Sequence, residues 1–307
     1  IDQRAGDTNR TILSGDIDDD STYWSLHVLS GRNLTGSVTM DGFRIEKGNA
    51  NGVKYVVTDS NESINTYGAG GGIFLWECSS NFTIENCSFL FNTSSFREQV
   101  GNGAVSDHSG SCIYLTNGES LNLLDCVFKN NYGESIIFAQ SNDFRLENLD
   151  FINNAGGVLD LFGDRSSQIT VNSFRFLNNS DSRYNLFRVN SYGDISLSDC
   201  QFSGNAKCGI EFTATSIKIS NSMFTNNGSQ SDSVDSTILY LSSANEVDLT
   251  GLVFDSNFQN CIDLKYLSQD DTNYVSQKHY LTEPKFRISK SKFSYNKGHA
   301  LNCEWSA

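Results

Sequence analysis

The chain is nearly without proline, with one in 307 residues. Disordered low-complexity chains are usually rich in proline and poor in aromatics. This one is 12 % aromatic, which excludes that class. Basic charge is also scarce: 22 Lys and Arg stand against 36 Asp and Glu, a formal net charge of −14. Nucleic acid as a partner needs a basic stripe, and an anionic membrane surface needs the same sign, so neither is expected. No apolar run reaches the roughly 18 residues that a membrane-spanning helix requires. Eight cysteines are too few for a disulfide scaffold, and no Cys-x-x-Cys pair points to zinc. Ile1 is followed at once by Asp-Gln-Arg, a start that does not read as a signal peptide. The start is read as processed or trimmed, which leaves secretion open.

Residues that build turns are abundant: 33 Asn, 43 Ser and 25 Gly. Asn and Gly tolerate left-handed backbone, which a fold with many tight corners demands. A period underlies them. Phe-x-x-Asn recurs at Phe89/Asn92, Phe128/Asn131, Phe151/Asn154, Phe176/Asn179, Phe202/Asn205, Phe224/Asn227, Phe254/Asn257 and Phe293/Asn296, at intervals of 39, 23, 25, 26, 22, 30 and 39 residues. Alternating apolar pairs flank each copy, such as Phe82/Ile84 and Leu121/Leu123 before the Phe. After the Asn come Ile73/Leu75, Ile113/Leu115, Ile136/Phe138, Leu159/Leu161 and their successors. Alternation in runs this short means half-buried strands. Two or three short strands cannot bury their own apolar faces, so successive coils must stack around one shared core. The expected fold is all-β: a single-stranded right-handed parallel β-helix of about ten coils, one domain over residues 1–307. Loop insertions are expected near 53–68, 93–109 and 266–284. The Phe column should fill a corner of the core. The Asn column should take the turn conformation and link coils through its amides.

Gly71-Gly72-Ile73, Asn86-Cys87-Ser88-Phe89 and Asp125-Cys126-Val127-Phe128 resemble the repeats of parallel β-helix proteins of the chlamydial polymorphic outer-membrane protein type. Thr11-Ile12-Leu13-Ser14-Gly15-Asp16-Ile17-Asp18 and Asp41-Gly42-Phe43-Arg44-Ile45 are similar to segments that open the helix in secreted bacterial surface members. The resemblance implies a secreted or surface-displayed adhesin or stalk. It carries no catalytic residue over.

Alternation also assigns the outward faces. The strand before each Phe presents polar side chains. The strand after each Asn presents Phe74, Trp76, Tyr114 and Ile137 in the first coils, then Asp160, Arg188, Glu211, Tyr240 and Asp263. The aromatic part forms an apolar strip about 10 Å long. Either the segment 96–109 folds over Phe74, Trp76 and Tyr114, or they bind a sugar or a partner protein. Asp160, Arg188 and Glu211 alternate in sign across adjacent coils, as stabilising cross-strand pairs do. Read functionally, Asp160, Arg188, Glu211 and Asp263 are the carboxylates and cation of a polysaccharide lyase or hydrolase. The local motifs of the pectin-degrading families are missing. No cofactor is expected, although Asp16, Asp18 and Asp20 form a weak candidate for Ca²⁺, without EF-hand spacing. Four isolated His residues show no metal spacing.

Cys87 and Cys126 share one column in successive coils and are read as stacked thiols rather than a disulfide. Of eight Asn-x-Ser/Thr sequons, Asn33, Asn61, Asn81 and Asn178 are expected to be accessible to glycans. Asn92 and Asn227 belong to the buried column. The sequence begins and stops within a coil, so its ends should meet flanking domains or other copies of the chain. The expectation is a non-enzymatic extracellular or cell-surface structural or adhesive protein, in which head-to-tail stacking would build a fibre. The alternative is a carbohydrate-active enzyme.

Overall fold

The computed structural model describes residues 11–16, 25–50, 56–59, 62–65, 69–94, 110–163, 167–180, 185–191, 193–206, 209–228, 237–266 and 285–304. Within them the secondary structure is strand, and all strands but one hairpin pair in parallel. One wall of the solenoid is a ten-stranded sheet. It is built from one short strand per coil, beginning Thr11–Ser14, Phe43–Glu46, Ser88–Leu90 and ending Lys292–Ser294. The other walls are joined into a second sheet because strands such as Gly110–Leu124, Tyr132–Glu147 and Ile210–Ser220 run through a corner. Register shifts between Leu115 and Gly118, and between Ala214 and Ser216, absorb that bend.

The Phe column is a continuous stack. From Phe89 through Phe128, Phe151, Phe176, Phe202, Phe224 and Phe254 to Phe293, ring centroids lie 4.6–5.0 Å apart and nearly parallel. The spacing is that of the strands, so the coil repeat itself sets the stacking distance. Burying each ring stabilises the fold by about 1.5–3 kcal/mol.

Beside it runs the Asn ladder. Asn92, Asn131, Asn154, Asn179, Asn205, Asn227 and Asn257 are buried. Each takes its partners from both neighbouring coils. The amide of Asn154, for example, donates to Phe128 O at 2.9 Å and to Asn179 Oδ1 at 3.1 Å, while its backbone N–H donates to Asn179 Oδ1 at 3.0 Å. One expectation needs correction here. The left-handed residue is not the ladder Asn but the one before it: Phe91, Asn130, Asn153, Asn178, Gly204, Asn226, Ser256 and Tyr295 have φ between 53° and 66°. The turn is made by this corner position, exposed in most coils and half-buried at Asn130 and Ser256, which lets the next side chain point inward. A second corner uses Asn86, Asp125, Asn148, Ser173, Asp199, Asn221, Gly251 and Lys290 in the same way. Glycine is required where coils touch: a Cβ on Gly72 would lie 2.6 Å from Cys112 O, and one on Gly71 would lie 2.5 Å from Thr93 O.

The expected insertions are partly redrawn. Within 53–68, Val56–Asp59 and Glu62–Asn65 form an antiparallel hairpin. Thr93 and Ser94 belong to the coil, pairing with Asn49 and Ala50. Residues 95–109 and 267–284 lie outside the described residues. Cys87 and Cys126 are buried and not joined by a disulfide. The Cys126 thiol donates to Leu124 O at 3.3 Å, and burial pushes it well above the usual thiol range.

Candidate functional site

The strand that follows each Asn presents one outward row from coil to coil. Its members pair in register as Ser30, Phe74, Tyr114, Phe138, Asp160, Arg188, Glu211, Tyr240, Asp263 and Asn302. Ile137, assigned to this row from the sequence, points into the core instead, and Phe138 takes its place. The run Ile136-Ile137-Phe138-Ala139 follows the register shift between Tyr132 and Ser135, where both isoleucines turn inward at the corner. The neighbouring coils carry the same inward pair at this corner, Cys112-Ile113 and Val158-Leu159, so the register read from the sequence set this one coil a residue early.

The aromatic half is a ladder of its own, and it is not open to solvent. Phe74 and Tyr114 are 9 % and 7 % exposed, and with Ala69, Phe138 and the half-buried Trp76 and Phe162 they form a second apolar cluster. Centroids are 5.3 Å apart for Phe74 and Tyr114, and 5.0 Å for Tyr114 and Phe138. His27 stacks on the far side of Phe74 at 4.7 Å, with Nδ1 2.8 Å from Gly70 O. Burial lowers the His27 pKa, and the hydrogen bond to Gly70 opposes this. The exposed strip of Phe74, Trp76 and Tyr114 is thus replaced by a stack whose rings cover one another. The segment expected to cover it, 96–109, lies outside the described residues.

The charged half follows at once. Arg188 grips Asp160 with two donors, its Nε 2.8 Å from Oδ1, and lies 5.6 Å from the centre of the Phe162 ring. Asp160 itself is 7 % exposed. The Arg188 pKa is raised by this hydrogen-bonded pairing, with further attraction from Glu211 and Glu134. Glu211 accepts a hydrogen bond from Asn185, and Asp263 accepts one from Thr237. Asp160 and Glu211 stand two coils apart, about 10 Å along the axis, with Arg188 filling the space between them. Glu211 and Asp263 stand equally far apart, with Tyr240 between. A hydrolase holding its carboxyls about 5–9.5 Å apart would need that space for water or a sugar carbon.

A family described as right handed beta helix region matches residues 71–251, more than half of the chain. The chain belongs to the right-handed β-helix family. The match includes the whole of the row from Phe74 to Tyr240 of this β-helix protein. Comparison with curated proteins and with solved structures found no match.

Other sites expected from the sequence of the β-helix protein fall as follows. Asp16 is held by Lys47 Nζ at 2.7 Å, which gives the carboxylate a protein cation in place of Ca²⁺. Asp18 and Asp20 lie outside the described residues, as does Asn61. Asn33, Asn81 and Asn178 are exposed, while Asn92 and Asn227 are buried in the ladder. Among the described residues, no helix is long and apolar enough to cross a membrane.

Proposed function

We propose that this is a non-enzymatic extracellular or cell-surface protein, a rigid solenoid of about ten coils acting as a spacer and contact surface. The observation that carries this reading is the occupation of the charged row. Asp160 is consumed by a two-donor pairing with Arg188, and the side chains between the candidate carboxylates are Arg188 and Tyr240. A general acid or base needs a proton-accepting oxygen facing the substrate, and Asp160 spends both of its own on Arg188. The likeness of single segments to chlamydial surface repeats, and the exposure of the sequons at Asn33, Asn81 and Asn178, support a surface or secreted setting. Stacking of copies along the axis into a glycosylated fibre belongs to the same proposal. Sedimentation across a concentration range tests it, and a persistent monomer would remove it.

The enzymatic reading is tested by screening acidic, neutral and amino polysaccharides for cleavage, with and without Ca²⁺. No turnover is expected. Turnover abolished by Asp160→Ala or Asp263→Ala would replace the structural reading with that of a carbohydrate-active enzyme.

A further inference from the structure

We propose that Cys87 and Cys126 are a modification site: in an oxidising setting the two thiols close into a disulfide that joins two successive coils. The inference rests on the extracellular reading for its setting, and goes beyond it in naming a covalent cross-link. The structure holds the pair as thiols in a geometry that a disulfide can adopt. Each follows a left-handed corner residue, Asn86 or Asp125, and precedes a strand, Ser88–Leu90 or Val127–Lys129. Those two strands pair in register, so the cysteines are direct neighbours along the axis. Two positions further on in the same coils, the rings of Phe89 and Phe128 lie 4.7 Å apart. That coil spacing falls within the roughly 4.4–6.8 Å between the Cα atoms of bridged cysteines. The two side chains are in hydrogen-bonding contact. Cys126 Sγ lies 3.5 Å from Ile84 O, so this thiol leans toward the coil of Cys87. Bringing the Cβ atoms to the roughly 3.5–4.5 Å of a disulfide takes a shift of about 0.2–1 Å. Both cysteines stand in a corner between strands, where such a shift leaves the sheet register unchanged.

Further along the same inward column come Leu149 and Phe174, and then Cys200. Cys200 is buried like the pair, but its column neighbours are Phe174 and Ser222. It serves as an internal control. The chemistry is thiol–disulfide exchange with a small disulfide oxidant such as oxidised glutathione. The thiolate of one cysteine attacks the oxidant, forming a mixed disulfide and releasing one glutathione thiolate. The thiolate of the other attacks the protein sulfur of that mixed disulfide, closes the bridge and releases the second. The protein loses two hydrogens, and the two glutathione molecules carry them away. Both thiols are 0 % exposed in the folded coils, so exchange runs while the coils are still stacking. The finished bridge is then sheltered from reductants. It closes a loop over the 38 residues between the two cysteines, which restricts the unfolded chain.

The test is disulfide mapping of the full chain by mass spectrometry, with free thiols alkylated under denaturing conditions and the digest left unreduced. One arm uses protein as isolated from its native source, the other protein refolded in oxidised and reduced glutathione. The expected product is a linked peptide pair carrying Cys87 and Cys126, two hydrogens lighter than its separate parts, with Cys200 alkylated. Cys87→Ser should leave Cys126 alkylated, and Cys126→Ser should leave Cys87 alkylated. Alkylation of both cysteines in both arms would overturn the site, as would glutathione retained on either or a bridge from either to Cys200. A bridge already closed in the native protein supports the site and the extracellular reading together. Thiols in the native protein that bridge on refolding support the site and overturn the extracellular reading.

Discussion

Truncating one rung in the middle of the ladder, Asn179→Ala, shows what the Asn column contributes. The Asn179 amide donates to Phe151 O at 3.0 Å and to Asn205 Oδ1 at 3.0 Å. Its oxygen accepts from the backbone N–H of Asn154 at 3.0 Å and from the Asn154 amide at 3.1 Å. Two of these partners have other bonds to fall back on. The Asn154 amide keeps Phe128 O, and Asn205 Oδ1 keeps the backbone N–H of Asn179. The Phe151 carbonyl stays in the parallel ladder to the next coil, so the Asn154 N–H is the group left without a partner, in a place where Asn179 itself is only 2 % exposed. With one buried polar group left unsatisfied, the loss should be about 1–3 kcal/mol. Native-state hydrogen exchange reads this directly, because the orphaned Asn154 amide should exchange faster by a factor on the order of 10² or more. Asn296→Ala, at a half-buried rung, should cost less. A loss below about 1 kcal/mol for Asn179→Ala, or equal losses at the two rungs, would refute the view that the ladder holds the coils together.

Three further outcomes follow from groups already described. Burial raises Cys200 and Cys261 to about 12, above the unfolded thiol, so the unfolded chain releases these protons first. Stability should then be full below roughly pH 8.5 and fall as pH rises toward 12. Urea midpoints across that range check it, and a pH-independent midpoint would contradict it. His27 has the opposite sign. Its folded pKa is lowered by burial, so the stability it contributes is present above about pH 6.5 and declines as pH falls below that value. His27→Gln should flatten the acid limb of the melting temperature. Arg188→Ala should destabilise by about 1–3 kcal/mol by leaving Asp160 without its cation, and adding Asp160→Asn should recover part of the loss. An additive double mutant, measured by denaturant titration, would show that the pair is not coupled.

The sequence made the solenoid legible because its repeat is written in residues with one physical use. A Phe can stack on itself every coil, and an Asn can bond both ways along an axis. The outward polar rows were legible for the same reason, since alternation is strict where strands are straight. It failed at Ile136 to Ala139, where the corner turns two successive side chains inward and the run Ile-Ile-Phe-Ala offers no polar residue to fix the register. The turn assignment failed by one residue: Asn occupies both the left-handed corner and the ladder position at Asn130-Asn131 and Asn153-Asn154, and composition cannot separate the two roles. Of the candidate site, the row order from Asp160 to Asp263 was readable. The burial of Phe74 and Tyr114 was not, because each ring is covered by rings from other coils and by His27, which is 47 positions away from Phe74.

The unequal coil lengths also fix how this molecule should yield under tension. Chain pulled away from one end detaches a coil at a time, because each rung and ring is bonded only to its two neighbours. The 22 residues from Phe202 to Phe224 release about 75 Å of slack, and the 39 from Phe254 to Phe293 about 130 Å. A stretching trace should therefore be a sequence of uneven steps whose order reports which end gives way first.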